Sequence, residues 1–207
     1  MKTIAFTKVR GHFGWLSNMS PHPIEYMHFT YPTAEHLFQC WRFVGPSRRW
    51  PGAADDGNPC GYATAVRAIR MPKSPMAAKQ YARDVSNLAV VIPRSERDIL
   101  QMSATLLLKF AQHPRLLAEL MATEDAQLVE DCSYRPTESG LFWGAQRTGD
   151  GWFGENTLGT LLEGVRTVAQ KRGTSFVGSV MGSVVGDQLD LLLEGVRASL
   201  AAADRSS

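Results

Sequence analysis

The sequence predicts a mainly α fold in a single domain, with a short extended part at its N-terminus. Three observations carry this. Apolar residues recur at helical spacing in one segment after another beyond residue 32. Cap and proline signals stand at the starts of those segments. Strand-like alternation is confined to residues 3 to 31.

The elements follow in order. Ile4 to Val9 partly alternates before Gly11 and Gly14 interrupt it, and Ile24 to Tyr31 reads as one arm of a hairpin. Pro32-Thr33 then opens a helix whose apolar face is Leu37, Cys40, Trp41 and Val44. From Gly45 to Gly61 the composition turns to Gly, Pro, Asp and Asn, the mark of a long surface loop. Ser74-Pro75 pairs a cap with proline at the first helical position, predicting a helix to about Arg83. Ser95 and Asp98 are spaced as a capping box before a longer helix with Ile99, Met102, Leu106 and Phe110 as its stripe. His113-Pro114 restarts the chain for an amphipathic helix carrying Leu116, Leu117, Leu120 and Met121. Residues 132 to 155 read as loop, and Asn156 as the N-cap of a helix with Leu158, Leu161, Leu162, Val165 and Val168 inward. The expected domain is 1–171; 172–207 reads as an extension, a linker plus one helix. In that extension Leu192–Arg197 echoes Leu161–Arg166, a single echo that does not amount to a repeat architecture.

Composition bounds the function. A chain of 207 residues, 44% hydrophobic and 20% charged, supports one ordinary globular core. Its net charge of +2 argues against broad electrostatic binding to nucleic acid but leaves room for a local basic pocket. Five Trp exceed what such a core needs and point to an aromatic-lined pocket. The three cysteines (Cys40, Cys60 and Cys132) have neither disulfide nor zinc spacing. With no apolar leader and no run of roughly 20 apolar residues, the expected setting is cytoplasmic and away from membranes.

The helix opening at Pro32-Thr33 carries the most chemistry. Glu35, Gln39 and Arg42 fall at i, i+4 and i+7 and share one face. A carboxylate in a helix's first turn is favoured by the dipole, which suits stabilising a developing cation or holding a water. By spacing alone, the same three residues fit an ordinary solvated face better than a site. His36 adjoins Glu35, but helix neighbours point to different faces. Phe13 to Asn18 sets Ser17 and Asn18 beside aromatics, as a nucleoside-like ligand or a simple turn would want. Trp143-Gly144 and the glycine-rich 149–156 loop run into a helix start, where backbone amides can cradle phosphate. Arg83 and Lys109 are further phosphate candidates, though on helices they also fit as surface charges. No metal-ligand spacing and no nucleophile elbow are present.

Taken in order, several of these pieces resemble one family. They are Leu16-Ser17-Asn18, Pro23-Ile24, Tyr31-Pro32-Thr33-Ala34-Glu35-His36-Leu37-Phe38-Gln39, Ser74–Lys79, Lys109-Phe110, Leu128-Val129-Glu130, Trp143-Gly144 and Asn156–Leu162. Together they resemble the NADAR family, also called YbiA-like, over roughly residues 12 to 170. The resemblance implies a mainly helical YbiA-like domain that cleaves N-glycosidic bonds with neither metal nor cofactor. In the YbiA-like branch the substrates are phosphorylated ribosylamino intermediates of early riboflavin synthesis; other members remove ADP-ribose from guanine.

The motif glutamate of that family falls on Glu35, implied to be catalytic. Its pocket residues fall on Asn18, Trp143 and Asn156, and Ser17, Gln39, Arg42, Arg83 and Gly144 join them as expected substrate contacts. Three positions depart from the family pattern. Arg42 stands where a lysine is usual and cannot form a Schiff base. A tryptophan common before the long helix is replaced near Arg94, and Ala145 stands where some members carry an acid after Trp-Gly.

The resulting expectation is hydrolysis of a ribose N-glycosidic bond in a small nucleotide-like metabolite. Two alternatives are hydrolysis of ADP-ribosyl-guanine, including on nucleic acid, which the near-neutral charge does not favour, and a non-catalytic ADP-ribose-binding module.

Overall fold

The structure, a computed structural model, describes residues 2–44 and 61–185. The loop expected from Gly45, up to residue 60, and the Leu192–Arg197 echo lie outside the described residues. What is described is mainly helical. Where the sequence predicts one domain, the described residues fall into two compact units, one drawn from Met1–Ser17 and Leu106–Ser207, the other from Asn18–Thr105.

The chain opens with strand β1 (Thr3–Phe6), which buries Ile4 and Phe6 on one face. It then enters the Asn18–Thr105 unit through a hairpin of β2 (Ile24–Tyr26) and β3 (Phe29–Tyr31). Residues 24 to 31 thus supply both arms rather than one. The turn is Met27-His28, both at positive φ (49° and 65°), the two-residue geometry that matches strand twist. No glycine marks it, so the sequence reads through it as one strand.

Helix α1 (Ala34–Trp41) follows, buried from Ala34 through Cys40. Next come α2 (Gly61–Arg70), which buries Ala65, Val66 and Ile69, and α3 (Pro75–Asp84). The Ser74 hydroxyl accepts from the Ala77 amide, which is the predicted cap. Helix α2 has no counterpart among the elements predicted from the sequence. Helix α4 (Glu96–Gln112) starts as its capping box predicts, with the Asp98 amide donating to Ser95 Oγ. Its stripe is wider than predicted, because every residue from Gln101 to Ala111 is buried.

The other unit continues with α5 (Pro114–Met121), β4 (Gln127–Glu130), α6 (Glu138–Trp143), a hairpin of β5 (Gln146–Thr148) and β6 (Gly151–Phe153), and α7 (Thr157–Arg172). The segment read as loop from 132 to 155 therefore holds a helix and a hairpin. Three-residue strands are too short to show alternation, while Thr137 caps α6 by accepting from the Gly140 amide. The stretch read as a linker after residue 172 is helical: a single 3-10 turn (Gly173–Ser175) leads into α8 (Phe176–Val185). Phe176 and Val180, four apart, are fully buried and anchor α8 despite its glycines.

Strand β4 organises this unit. It pairs in parallel with β1, and the Gln127 and Asp131 amides donate to the Lys2 and Phe6 carbonyls. Its other edge is completed by α7 and by Ala145. Glu163 Oε1 accepts from the Leu128 amide at 2.7 Å. The Asn156 carboxamide donates to the Leu128 carbonyl (2.8 Å) and accepts from the Glu130 amide (3.1 Å). The Ala145 amide donates to the Glu130 carbonyl at 2.9 Å. Asn156 stands at the N-cap position the sequence predicts, in left-handed backbone (φ 51°, ψ 37°), and its carbonyl accepts from the Thr160 amide at 3.1 Å; its side chain, committed to β4, makes no cap bond.

Candidate functional site

The Asn18–Thr105 unit holds the densest buried polar network around a predicted residue, and it starts at Glu35. The Pro32-Thr33 entry sets Glu35 in the first turn of α1, where its amide donates to the Asn18 carbonyl at 2.9 Å. Its side chain is only 2% exposed, which rules out the solvated-face reading. One carboxylate oxygen accepts from Asn18 Nδ2, in a short contact, and the other from Gln39 Nε2 at 2.8 Å. Gln39, one turn later, is equally buried. Among the described residues, no Lys or Arg side chain reaches ion-pair distance of Glu35.

Arg42 ends α1, and its guanidinium is held on several sides. Nε and Nη2 donate to the two oxygens of Asp98, each at 2.7 Å, as a bidentate pair. Nη1 donates to Gln39 Oε1 at 3.3 Å, and the plane lies over the Phe38 ring at 4.6 Å. Asp98 is fully buried and also accepts from the Arg94 amide at 2.8 Å. Arg42 thus carries its charge already matched, unlike a phosphate-binding cation waiting for its ligand.

Asp98 is the residue that sequence reasoning misses. Its spacing from Ser95 accounts for it as a capping acid, and no local pattern links it to an arginine 56 positions away.

His36 faces elsewhere, as helix geometry requires. Its Nε2 lies 2.8 Å from the Pro72 carbonyl, so that nitrogen carries the hydrogen, and Nδ1 accepts from the Thr33 hydroxyl at 2.8 Å. Burial lowers its pKa, the largest influence on it, and the ring is a neutral strut that ties the start of α1 to Pro72. Arg83 is exposed in the last turn of α3.

The remaining predicted residues lie in the other unit. Ser17 is buried and offers its carbonyl to Lys109 Nζ at 2.9 Å. Trp143 is 8% exposed at the end of α6, edge-on to Phe142. Gly144 is required by close approach, since a Cβ there would lie 2.2 Å from the Glu130 carbonyl oxygen. The loop before α7 has two of its amides already committed. Its Glu155 and Asn156 amides donate to the Leu141 and Gly144 carbonyls, and both polar atoms of the Asn156 side chain are committed to β4. Phe13 and Trp15 line a cleft of about 540 Å³ with Lys2, His12, Arg115 and Glu119. The structure therefore joins Glu35, Asn18, Gln39 and Arg42 in one cluster.

Lys109 is no surface charge. It is fully buried, its Nζ donates to the Trp15 (2.6 Å) and Ser17 carbonyls, and burial lowers its pKa to about 7. A consequence for stability follows from that shift. Between pH 7 and 10 the unfolded chain keeps a proton that the folded chain has lost, so unfolding free energy rises with pH. The slope from this group is at most about 1.4 kcal/mol per pH unit. Urea denaturation at pH 7, 8 and 9 should show the rise, and Lys109→Met should flatten it. An unchanged slope in the variant would refute the assignment.

A mainly helical fold with two-stranded sheets and a buried, amide-clamped carboxylate at a helix start is the class that these observations define. The family model described as "NADAR domain" matches residues 5–169. The chain belongs to the NADAR family. It is 32% identical over 163 residues to N-glycosidase YbiA of Escherichia coli, covering 79% of this chain and 86% of that one. It is 32% identical over 172 residues to the chloroplastic riboflavin biosynthesis protein PYRR of maize (Zea mays), covering 79% of this chain but only 25% of the maize protein. N-glycosidase Npun_R5314 of Nostoc punctiforme is 30% identical over 167 residues. The solution NMR structure of E. coli YbiA superposes with a TM-score of 0.59 at 30% identity, covering 83% of this chain and 87% of that one. No helix of the described residues is long and apolar enough to cross a membrane. Among them no cluster of His, Cys, Asp and Glu could hold a metal ion.

Proposed function

We propose that the chain is an N-glycosidase that hydrolyses the bond between ribose and a base-like amine in a phosphorylated ribosylamino or nucleotide-like metabolite. The observation that carries this is Glu35: a buried carboxylate oriented by two amide donors and in contact with no Lys or Arg among the described residues. Such a group is prepared to meet a positive charge that forms only during reaction. As the C–N bond breaks, the ribose becomes oxocarbenium-like, and Glu35 stabilises that charge or aligns the attacking water. Water supplies the new C–O bond, and its proton leaves with the departing amine. The same electrostatic logic operates in glycoside hydrolysis, here without the paired carboxylates. Asn18 and Gln39 hold the carboxylate in place. The names of the YbiA and PYRR relatives support both the reaction type and a riboflavin-pathway substrate.

Incubation with a phosphorylated ribosylamino intermediate of riboflavin synthesis, and separately with ADP-ribosylated guanosine, tests this through released base read by mass spectrometry. Base is expected from the first. Release from the second alone would move the substrate class, and binding without release from either would make the protein a ligand-binding module.

A further inference from the structure

We propose that Arg42 and Asp98 are positioning residues, which set the carboxylate of Glu35 through the amide of Gln39 and do not bind substrate. A glutamine amide has two ends of similar size and opposite hydrogen-bonding character. At Gln39 the choice between them is forced. Its oxygen accepts from Arg42 Nη1 at 3.3 Å, so its nitrogen faces Glu35 Oε1, to which it donates at 2.8 Å.

Arg42 can enforce this because it is itself held. Two 2.7 Å bonds from Asp98 fix the plane of the guanidinium, and the Phe38 ring covers one face. Asp98 is fixed in turn by the Arg94 amide and by burial. Orientation therefore passes along Asp98, Arg42, Gln39 and Glu35, and the guanidinium charge stays matched and off the carboxylate. Without the relay, Gln39 can turn its oxygen toward Glu35. Two acceptors would then face each other, and the carboxylate would leave its orientation.

This inference rests on Glu35 being the working carboxylate, so Glu35→Gln is the reference. The variants are Asp98→Asn, Arg42→Lys and Arg42→Ala, each checked for folding by circular dichroism. With Glu35→Gln inactive, Asp98→Asn and Arg42→Lys should each lower kcat about tenfold and leave KM within about twofold. Millimolar guanidinium should restore part of the kcat of Arg42→Ala, and ammonium should not. The 13C chemical shift of the Glu35 carboxyl, which needs no substrate to observe, should move in Asp98→Asn although the two side chains share no bond.

A raised KM with unchanged kcat in the Arg42 variants would make Arg42 a substrate ligand and overturn the proposal. So would wild-type kcat together with an unmoved Glu35 resonance in Asp98→Asn. An active Glu35→Gln would instead remove the reading of Glu35, and the relay's catalytic purpose with it. If Arg42→Ala fails to fold, the two conservative variants decide.

Discussion

Glu35→Gln is expected to lower kcat by about 10³-fold or more with little change in KM or in the fold. The substitution is nearly isosteric, so packing around α1 is kept. Its hydrogen-bond cost is small for a reason visible in the site. The oxygen of a glutamine at position 35 can still accept from Gln39, and its new amide can donate to Asn18 once the Asn18 carboxamide turns over. One rearranged bond costs about 1 kcal/mol of stability. The charge, however, is gone, and charge is what an oxocarbenium-like ribose requires. Steady-state kinetics with thermal denaturation checks both halves. Turnover near the wild-type rate would remove Glu35 from the mechanism.

Gly159→Ala should destabilise the protein by about 3 kcal/mol, a fall of roughly 10 °C in Tm for a chain of this size. Helix propensity argues the other way, since alanine in place of glycine gains about 1 kcal/mol. Sterics decide. A Cβ at position 159 would stand 2.0 Å from the Leu128 carbonyl oxygen and 2.4 Å from Asn156 Nδ2. Leu128 is backbone in the strand that pairs with β1, so relief requires moving β4 or parting it from α7. Gly178 supplies the control. It is also helical, has nothing within 4 Å of a built Cβ, and its alanine variant should be neutral or slightly stabilised. Equal Tm values for the two alanine variants would show that α7 does not approach β4 this closely.

What the sequence makes legible is set by distance along the chain. The cap at Ser74, the start of α4 at Ser95 and the shared face of Glu35, Gln39 and Arg42 are written within a few residues, where helix geometry alone fixes who meets whom. The burial of that face is not. Spacing distinguishes faces of a helix but not which of them meets solvent, and here every residue from Ala34 to Cys40 is inside. Pairings across long separations are silent altogether, as with Arg42 and Asp98, or β1 and β4. Lys109 misleads for a further reason. Lysine is seldom fully buried, and its acceptors are main-chain carbonyls of Trp15 and Ser17, which no residue type advertises.

The Asn156 carboxamide has a consequence beyond α7. With one donor and one acceptor it answers the Leu128 carbonyl and the Glu130 amide as a neighbouring strand's peptide group would. Glu163 and the Ala145 amide answer the remaining groups on that side. An open strand edge is a template on which a second chain can add itself, and proteins blunt such edges with charge, proline or bulges. This protein closes the β4 edge with the side chains of Asn156 and Glu163, at the start of α7 and within it, and with the Ala145 backbone amide. The β4 side of this two-stranded sheet is thereby closed to a further strand, and the residue read as a ligand contact does part of that closing.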